Sequence, residues 1–540
     1  MKEHSKVLAR PVFLYIREVF ERKKWNMVWL LIAQIFLGIS GVGYAVLIRE
    51  VVDEAVEGDK EELFLSIVFF ACLVVIQLTL SAVVRFLEEY ACASYENIAK
   101  SRLFETLLTK EYQSVTAVHS GEWMNRLTSD TTVVADGLAT IVPGMVGMAM
   151  RLLAALGMIF YMEPTCAYIL IPAGLCLIGV TYVFRKILKQ RHKQMQEKDG
   201  KVRTYLQEHL GSLLVVRAFG AEKLSLAEAQ ECMEEHKRAR MKKNHFSNLC
   251  NVGFGAIMHG AYVFGLAYGS YGILNGTMTY GTLMAMLQLI SQIQHPLANI
   301  TGYLPKYYAM VASAERLLEA EQYVSDIMCE KKELGATDIC MRDVYFSYEE
   351  KNPVLCGFSM DVPKGTFAVF TGASGNGKST IVKLLLGLYC PASGEISPCN
   401  REMYAYVPQG NYLMSDTIRN VVSFAKPKER QDETRLREAL TVACAEFVYE
   451  LPQGLDTRLG ERGLGLSEGQ MQRIAIARAI FADRPILILD EATSALDEAT
   501  EKEVLERLRR MTDKTVLLIT HRPAALEICD QNIVLSRVKV

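Results

Sequence analysis

Six apolar stretches, each long enough to cross a bilayer, fill the chain before about Leu304 and leave that half few choices of fold. They run at approximately Asn26–Ile48, Leu63–Phe86, Val133–Tyr161, Cys166–Phe184, Phe246–Leu274 and Tyr280–Leu304. A spanning helix needs about 20 predominantly apolar residues. Hydrocarbon offers backbone polar groups no water, so such segments must satisfy their own hydrogen bonds as helices. The mean hydropathy of +0.14 with 50% hydrophobic residues agrees with a chain that is only partly soluble. The rest reads as an α/β domain.

The connections between the spans alternate. Asp53–Glu62 is short and acidic, Met162-Glu163-Pro164 is a breaker and Asn275-Gly276-Thr277 is a turn. The other two, from about Ala93 to Asp130 and from Arg185 to His245, are long and helical in pattern. Basic residues collect in the N-terminal segment (Lys2, Lys6, Arg10, Arg17, Arg22, Lys23, Lys24) and in the second long connection, whereas the acidic one has only Lys60. Lysine and arginine bias toward the cytoplasmic side then predicts a multi-pass cell-membrane protein with both termini cytoplasmic. Met1 to Lys24 is basic and amphipathic and lacks the apolar core of a cleavable signal.

Polar residues inside the spans are the only hints of a cargo. Gln288, Gln292, His295 and Asn299 recur at helical spacing and predict one polar face. Such a face can bond neighbouring helices, but here it is expected to line a water-filled translocation cavity that holds the substrate. Arg151 falls near mid-span, where a charge is costly, so a cavity or an acidic partner is expected around it. The formal net charge of −2 gives no polyanion signal and there is no nucleic-acid motif, so no nucleic-acid partner is expected, and the 13 cysteines show no metal-like pairing.

The second half carries the chemistry. Phe367–Thr371 is a buried-strand pattern running into Gly372-Ala373-Ser374-Gly375-Asn376-Gly377-Lys378-Ser379-Thr380, after which Ile381–Leu386 has helical character. Strand, Gly-x-x-x-x-Gly-Lys-Ser and helix is the context of a phosphate-binding loop. Its glycines let backbone N–H groups approach the phosphates. Lys378 would reach the β- and γ-phosphates, and Ser379 would ligate Mg²⁺. A second glycine-containing helix start, Leu466-Ser467-Glu468-Gly469-Gln470, is a second anion site in a domain that already has one. One nucleotide does not need two such sites from one small domain, so the pentapeptide is expected to meet another nucleotide.

With these motifs the chain resembles an ATP-binding cassette (ABC) transporter of the exporter type, a half-transporter with transmembrane and nucleotide-binding domains fused. Further matches are Tyr404–Gln409, Asp456–Gly463, Ile486–Glu491, Ser494–Asp497 and Val516–His521, together with Gly121–Asp130 and Glu208–Gly220 in the membrane half. The resemblance implies a six-helix all-α transmembrane domain followed by an α/β P-loop ATPase. The boundaries expected are 1–25 for an interfacial helix, 26–320 for the transmembrane domain, 321–337 for a linker and 338–540 for the ATPase.

The same resemblance assigns roles. Asp490 and Gln409 join Ser379 as Mg²⁺ ligands, Glu491 is the general base, and His521 contacts the γ-phosphate. Tyr348 stacks on adenine, the loop from Gly372 to Thr380 holds ATP, and Ser467, Gly469 and Gln470 close on the partner's nucleotide. Coupling helices are expected near Gln113–Gly121 and Ala218–Lys223. Glu468 departs from the commonest form of its motif, which has glycine there. Glu491 and His521 are both intact, favouring a homodimer over pairing with a paralogous half-transporter. The last strand pair is expected to be cut short after Ile533-Val534-Leu535. The expected function is ATP-driven export of a small amphipathic molecule, lipid or peptide. Alternatives are import of a metal chelate or other small solute through the same architecture, or an ATPase-coupled receptor or regulator.

Overall fold

The structure, a computed structural model, describes residues 4–326, 338–348, 353–373, 376–398, 400–410, 413–429, 431–460 and 465–535. The chain divides into two compact units, Met1–Glu105 with Gly121–Glu321, and Thr106–Ser120 with Gln322–Val540.

The first unit is all helical. Helix α1 (His4–Glu21) precedes α2 (Lys24–Glu57) and α3 (Lys60–Thr109). Most of the expected acidic loop between those two is helix, because Gly58 takes φ +84° and its N–H closes α2 onto the Glu54 carbonyl. The short α4 (Tyr112–Thr116) and α5 (Ser120–Asn125) lead to α6 (Thr131–Met162), then α7 (Pro164–Gly211), α8 (Leu213–Ala218), α9 (Glu222–Leu274) and α10 (Tyr280–Glu321). Pro164 opens α7, where its missing N–H costs nothing. Among the described residues, four helical stretches are long and apolar enough to span a membrane: α2, α3, Ser120–Met162 and α9. The fourth and sixth expected segments run through α7 and α10, parts of which lie outside the described side chains.

Helices α2, α6 and α10 pack on one another, and α7 runs with α9. Ala45, Ala155, Ile159, Met286, Leu289 and Ile290 form the apolar centre of this unit. At the other end of α6, buried Asp130 accepts from the Ser313 hydroxyl at 2.9 Å and from Arg316 Nε at 2.8 Å. Buried Arg126 donates to the Arg316 carbonyl at 2.9 Å. The second coupling helix was expected at Ala218–Lys223. The short helix instead ends at Ala218, and Gly220 (φ +62°) turns the chain into α9.

The second unit contains two sheets. Strands β1 (Ile339–Ser347), β2 (Pro353–Val362) and β4 (Ser393–Ser397) form an antiparallel sheet of order β2-β1-β4. Strands β3 (Phe367–Thr371), β5 (Tyr404–Val407), β6 (Ile486–Asp490), β7 (Thr515–Ile519) and β8 (Gln531–Val534) form a parallel sheet of order β5-β6-β7-β3-β8. Every residue of β6 and β7 is buried, as expected for parallel strands covered on both faces. The helices are α11 (Lys378–Leu385), α12 (Ile418–Val422), α13 (Glu433–Val442), α14 (Glu468–Ala482), α15 (Glu498–Arg509) and α16 (Pro523–Ile528).

Residues 106–120 were expected in the membrane half and group with this second unit. The Glu111 N–H donates to the Val324 carbonyl and the Asp326 N–H to the Thr109 carbonyl, both at 3.0 Å. The Tyr112 ring meets Tyr389 edge-on at 6.1 Å.

Candidate nucleotide site

In an open parallel sheet, ligands bind beyond the carboxyl ends of the strands. Four of the five parallel strands deliver a candidate residue there. β3 runs into the glycine loop and Lys378, β5 into Gln409, β6 into Asp490 and Glu491, and β7 into His521. Neighbouring strand order, not sequence proximity, brings them together.

Gly372 and Gly377 take φ +147° and +88°, a range that favours glycine, and Gly377 caps α11. The Asn376 amide fixes the loop by donating to the Leu535 carbonyl at 2.8 Å. Ser374 and Gly375 lie outside the described residues. Lys378 is buried, and its Nζ lies 2.5 Å from the Gly372 carbonyl and 3.2 Å from His521 Nε2. Ser379, next on α11, is exposed, whereas Thr380 is buried and its hydroxyl lies 3.1 Å from that of Tyr348.

Gln409 Nε2 donates to Glu491 Oε2 at 2.7 Å. Glu491 itself takes φ +50°, a strained conformation for a non-glycine residue, and its N–H continues the sheet by donating to the Ile519 carbonyl at 2.9 Å. His521 Nε2 is 4.0 Å from a Glu491 oxygen. Asp490 is 3% exposed, and Tyr406 donates its hydroxyl to the carboxylate at 3.4 Å. Burial pushes the Asp490 carboxyl above its ordinary range, opposed by that hydrogen bond and by Lys378.

Tyr348 meets Phe346 and Tyr389 edge-on at 5.0 and 5.4 Å, and Lys383 Nζ sits 5.8 Å from its ring centre. Tyr348 as a whole remains 39% exposed.

At the second expected anion site, Ser467 is the N-cap of α14 and forms a capping box with Gln470. The Gln470 N–H donates to the Ser467 hydroxyl at 3.3 Å, and the Ser467 N–H donates to Gln470 Oε1 at 2.9 Å. The Gln470 side chain is therefore spent on the cap. Glu468 is exposed in the first turn of α14, where a carboxylate complements the helix dipole, which gives it a physical role.

The membrane stripe divides. Gln292 is buried and donates to the Gly41 carbonyl of α2 at 2.5 Å, so it binds helices together and is not placed on a cavity wall as expected. Gln288 is half-buried, and the His295 and Asn299 side chains lie outside those described. Arg151 is half-buried, and among the described residues no acidic side chain pairs with it.

Sequence reasoning overlooked the residues that hold the Ser494–Asp497 turn. Gln472 of α14 donates to the Ser494 hydroxyl and accepts from the Ala495 N–H, each at 2.9 Å. Spacing along the chain carries no signal for such pairs.

A fused membrane bundle and P-loop sheet of this layout define an ATP-powered membrane transporter. The model of the ABC transporter transmembrane region matches residues 27–297 and that of the ABC transporter matches 355–494, and the chain belongs to the ABC transporters. It is an exporter-type half-transporter whose ATPase domain binds ATP and couples hydrolysis to transport across a membrane that it crosses several times. It is 26% identical to the uncharacterized ABC transporter ATP-binding protein YknU of Bacillus subtilis (strain 168), over 97% of this chain and 94% of the relative. It is 30% identical to the ATP-dependent lipid A-core flippase of Vibrio vulnificus (strain CMCP6), over 77% and 74%. A bacterial Atm1-family ABC exporter with ATP bound has the same fold, with a TM-score of 0.78 at 23% identity, covering 95% of this chain and 93% of that one.

Proposed function

We propose that the protein exports an amphipathic, lipid-like molecule by alternating access, working as a homodimer with two ATP molecules held head to tail. The observation that carries the ATP site is the convergence of Lys378, Gln409, Asp490, Glu491 and His521 at adjacent strand ends. Lys378 neutralises phosphate charge, Glu491 takes a proton from the attacking water, and Gln409 holds the Glu491 carboxylate in place. His521 orients the γ-phosphate beside Lys378. The loop from Gly372 to Thr380 carries the phosphates and Tyr348 the base.

The donor set fits Mg²⁺. Among the described residues no group of three His, Cys, Asp or Glu could cage a metal alone. A single buried carboxylate, Asp490, with the Ser379 hydroxyl and Gln409, suits a cation that takes its remaining ligands from phosphate and water. Mg²⁺ would supply positive charge at the phosphate oxygens.

Two features support a partner chain. Ser467 and Gly469 open α14 as an anion site additional to the glycine loop. Leu214 and Phe219, at the tip formed by α8 and the start of α9, are each 83% exposed, an apolar surface suited to docking on a second copy. The basic N-terminal segment and second long connection support an orientation with both termini in the cytoplasm. The cargo class draws support from relatives named as lipid A-core flippases.

The test uses sealed proteoliposomes with the ATPase domain outside and a fluorescent phospholipid in the outer leaflet. ATP-dependent loss of that lipid from the outer leaflet is expected, because export runs away from the ATPase side. Movement toward the ATPase side would overturn the direction, and ATPase activity indifferent to every lipid tried would overturn the cargo class.

A further inference from the structure

The site above leaves Arg522 without a role, although it follows His521 directly and its guanidinium makes three hydrogen bonds. Its Nη1 donates to the Leu496 carbonyl and to Glu501 Oε2, both at 2.9 Å, and its Nη2 donates to the Ser494 carbonyl. Glu501 is a carboxylate 2% exposed on α15. Its other oxygen accepts from the hydroxyl of Thr493, itself 1% exposed, at 2.8 Å. A buried carboxylate needs such partners, and a planar guanidinium fork can serve it and two carbonyls together.

The segment these groups hold stands between two functional elements. Its N-terminal side is tied to Glu491, whose carbonyl accepts from the Ser494 N–H at 3.2 Å. Its other side meets α14, through Gln472 and through the Ala495 carbonyl, which lies 2.8 Å from where a Cβ on Gly469 would stand.

We infer that Arg522 is a positioning residue: seated on the buried Glu501 carboxylate, it holds the backbone from Ser494 to Leu496 so that Glu491, His521 and the start of α14 keep one relative geometry. The residues that serve the chain's own ATP and those offered to the partner's ATP then shift together. This rests on the reading of Glu491 and His521 as hydrolytic residues. A misplacement of about 1 Å at a reacting group can cost on the order of a hundredfold in rate. The effect of losing Arg522 therefore falls on turnover, with ATP capture by the glycine loop spared.

The test measures ATPase kcat, affinity for a fluorescent ATP analogue and melting temperature on the full chain in nanodiscs. The variants are Arg522→Ala, Glu501→Gln, both together, and Glu491→Gln. The expected result is a kcat lowered at least ~10-fold in each single variant of the pair, with analogue affinity within about twofold of wild type. The double variant is expected to lose no more than the worse single one, because the two side chains act as a unit. A kcat within about twofold of wild type, additive losses in the double variant, or affinity falling in step with kcat would overturn the inference. Where Arg522→Ala does not fold, Arg522→Lys takes its place under the same criteria, since an ammonium keeps the charge and loses the fork. Glu491→Gln separates the two levels. If it turns over normally the site reading itself fails, whereas an inactive Glu491→Gln beside a normal Arg522→Ala sinks only the role of Arg522.

Discussion

The side-chain amide of Gln409 donates to a carboxylate oxygen of Glu491 at 2.7 Å, joining the ends of the paired parallel strands β5 and β6. Because Gln409 follows a strand end across a short loop, whatever moves that loop also moves the proposed general base. Replacing Gln409 by Ala is expected to lower kcat by roughly 10- to 100-fold while ATP affinity changes little. Steady-state ATPase kinetics alongside nucleotide-binding titration check it; a fall in affinity with unchanged kcat would contradict the positioning role.

Gly469 has no room for a side chain. A Cβ there would stand 2.8 Å from the Ala495 carbonyl, which is backbone and cannot swing aside. Gly469→Ala is therefore expected to displace the Ser494–Asp497 turn and to reduce ATPase turnover. Far-UV circular dichroism of the variant should stay at the wild-type level, because α14 keeps its Ser467–Gln470 capping box.

The strand-loop-helix around Lys378 was legible in the sequence because it is local: glycines, lysine and flanking apolar runs lie within a few residues of one another. The motifs at Gln409, Asp490, Glu491 and His521 were each legible too, since each ends a strand pattern. The grip of Gln472 on Ser494 and of Arg522 on Glu501 was not, because it links residues 22 and 21 positions apart through side-chain geometry. Helical spacing placed Gln292 on a polar face but could not say which neighbour that face meets. Likewise, the short helix at Leu213–Ala218 was expected a few residues later, where the family-like segment ends and the chain in fact turns at Gly220.

Gln292 provides a test of helix packing in the membrane unit. Its carboxamide oxygen is buried without a partner among the described residues, while its NH₂ donates to the Gly41 carbonyl. Gln292→Leu exchanges one interhelical hydrogen bond, about 0.6 kcal/mol on average in a membrane bundle, for relief of that oxygen. Thermal stability in nanodiscs is expected to stay near wild type, and lipid-stimulated ATPase activity to be unchanged. Gly41→Ala is expected to be the worse change, since its Cβ would meet the Gln292 oxygen at 2.5 Å and break the bond. Loss of lipid stimulation in Gln292→Leu at unchanged stability would return this residue to a cavity role.

Cys444, 7% exposed between α13 and the following turn, has its thiol pushed up to about 11 by burial. A raised value keeps the thiol protonated below that pH, so at pH 8 about one thiol in a thousand is thiolate. Iodoacetamide at pH 8 is expected to label the exposed Cys356 and Cys390 in the folded protein and to spare Cys444 until denaturant is added. Peptide mass spectrometry reads each site separately; equal labelling of all three without denaturant would contradict it.

The head-to-tail dimer is tested most directly by mixing two inactive chains. Lys378→Ala disables a chain's glycine loop, and Ser467→Arg disables the site it offers to its partner. In a heterodimer of the two variants, the intact Lys378 of one chain faces the intact Ser467 of the other, so one complete ATP site is rebuilt. Purified through two different affinity tags, this heterodimer is expected to recover measurable ATPase activity that neither homodimer has. A heterodimer carrying both substitutions on one chain, paired with wild type, is expected to recover none. Equal activity in the two heterodimers, or no recovery in the first, would contradict an ATP site shared between chains.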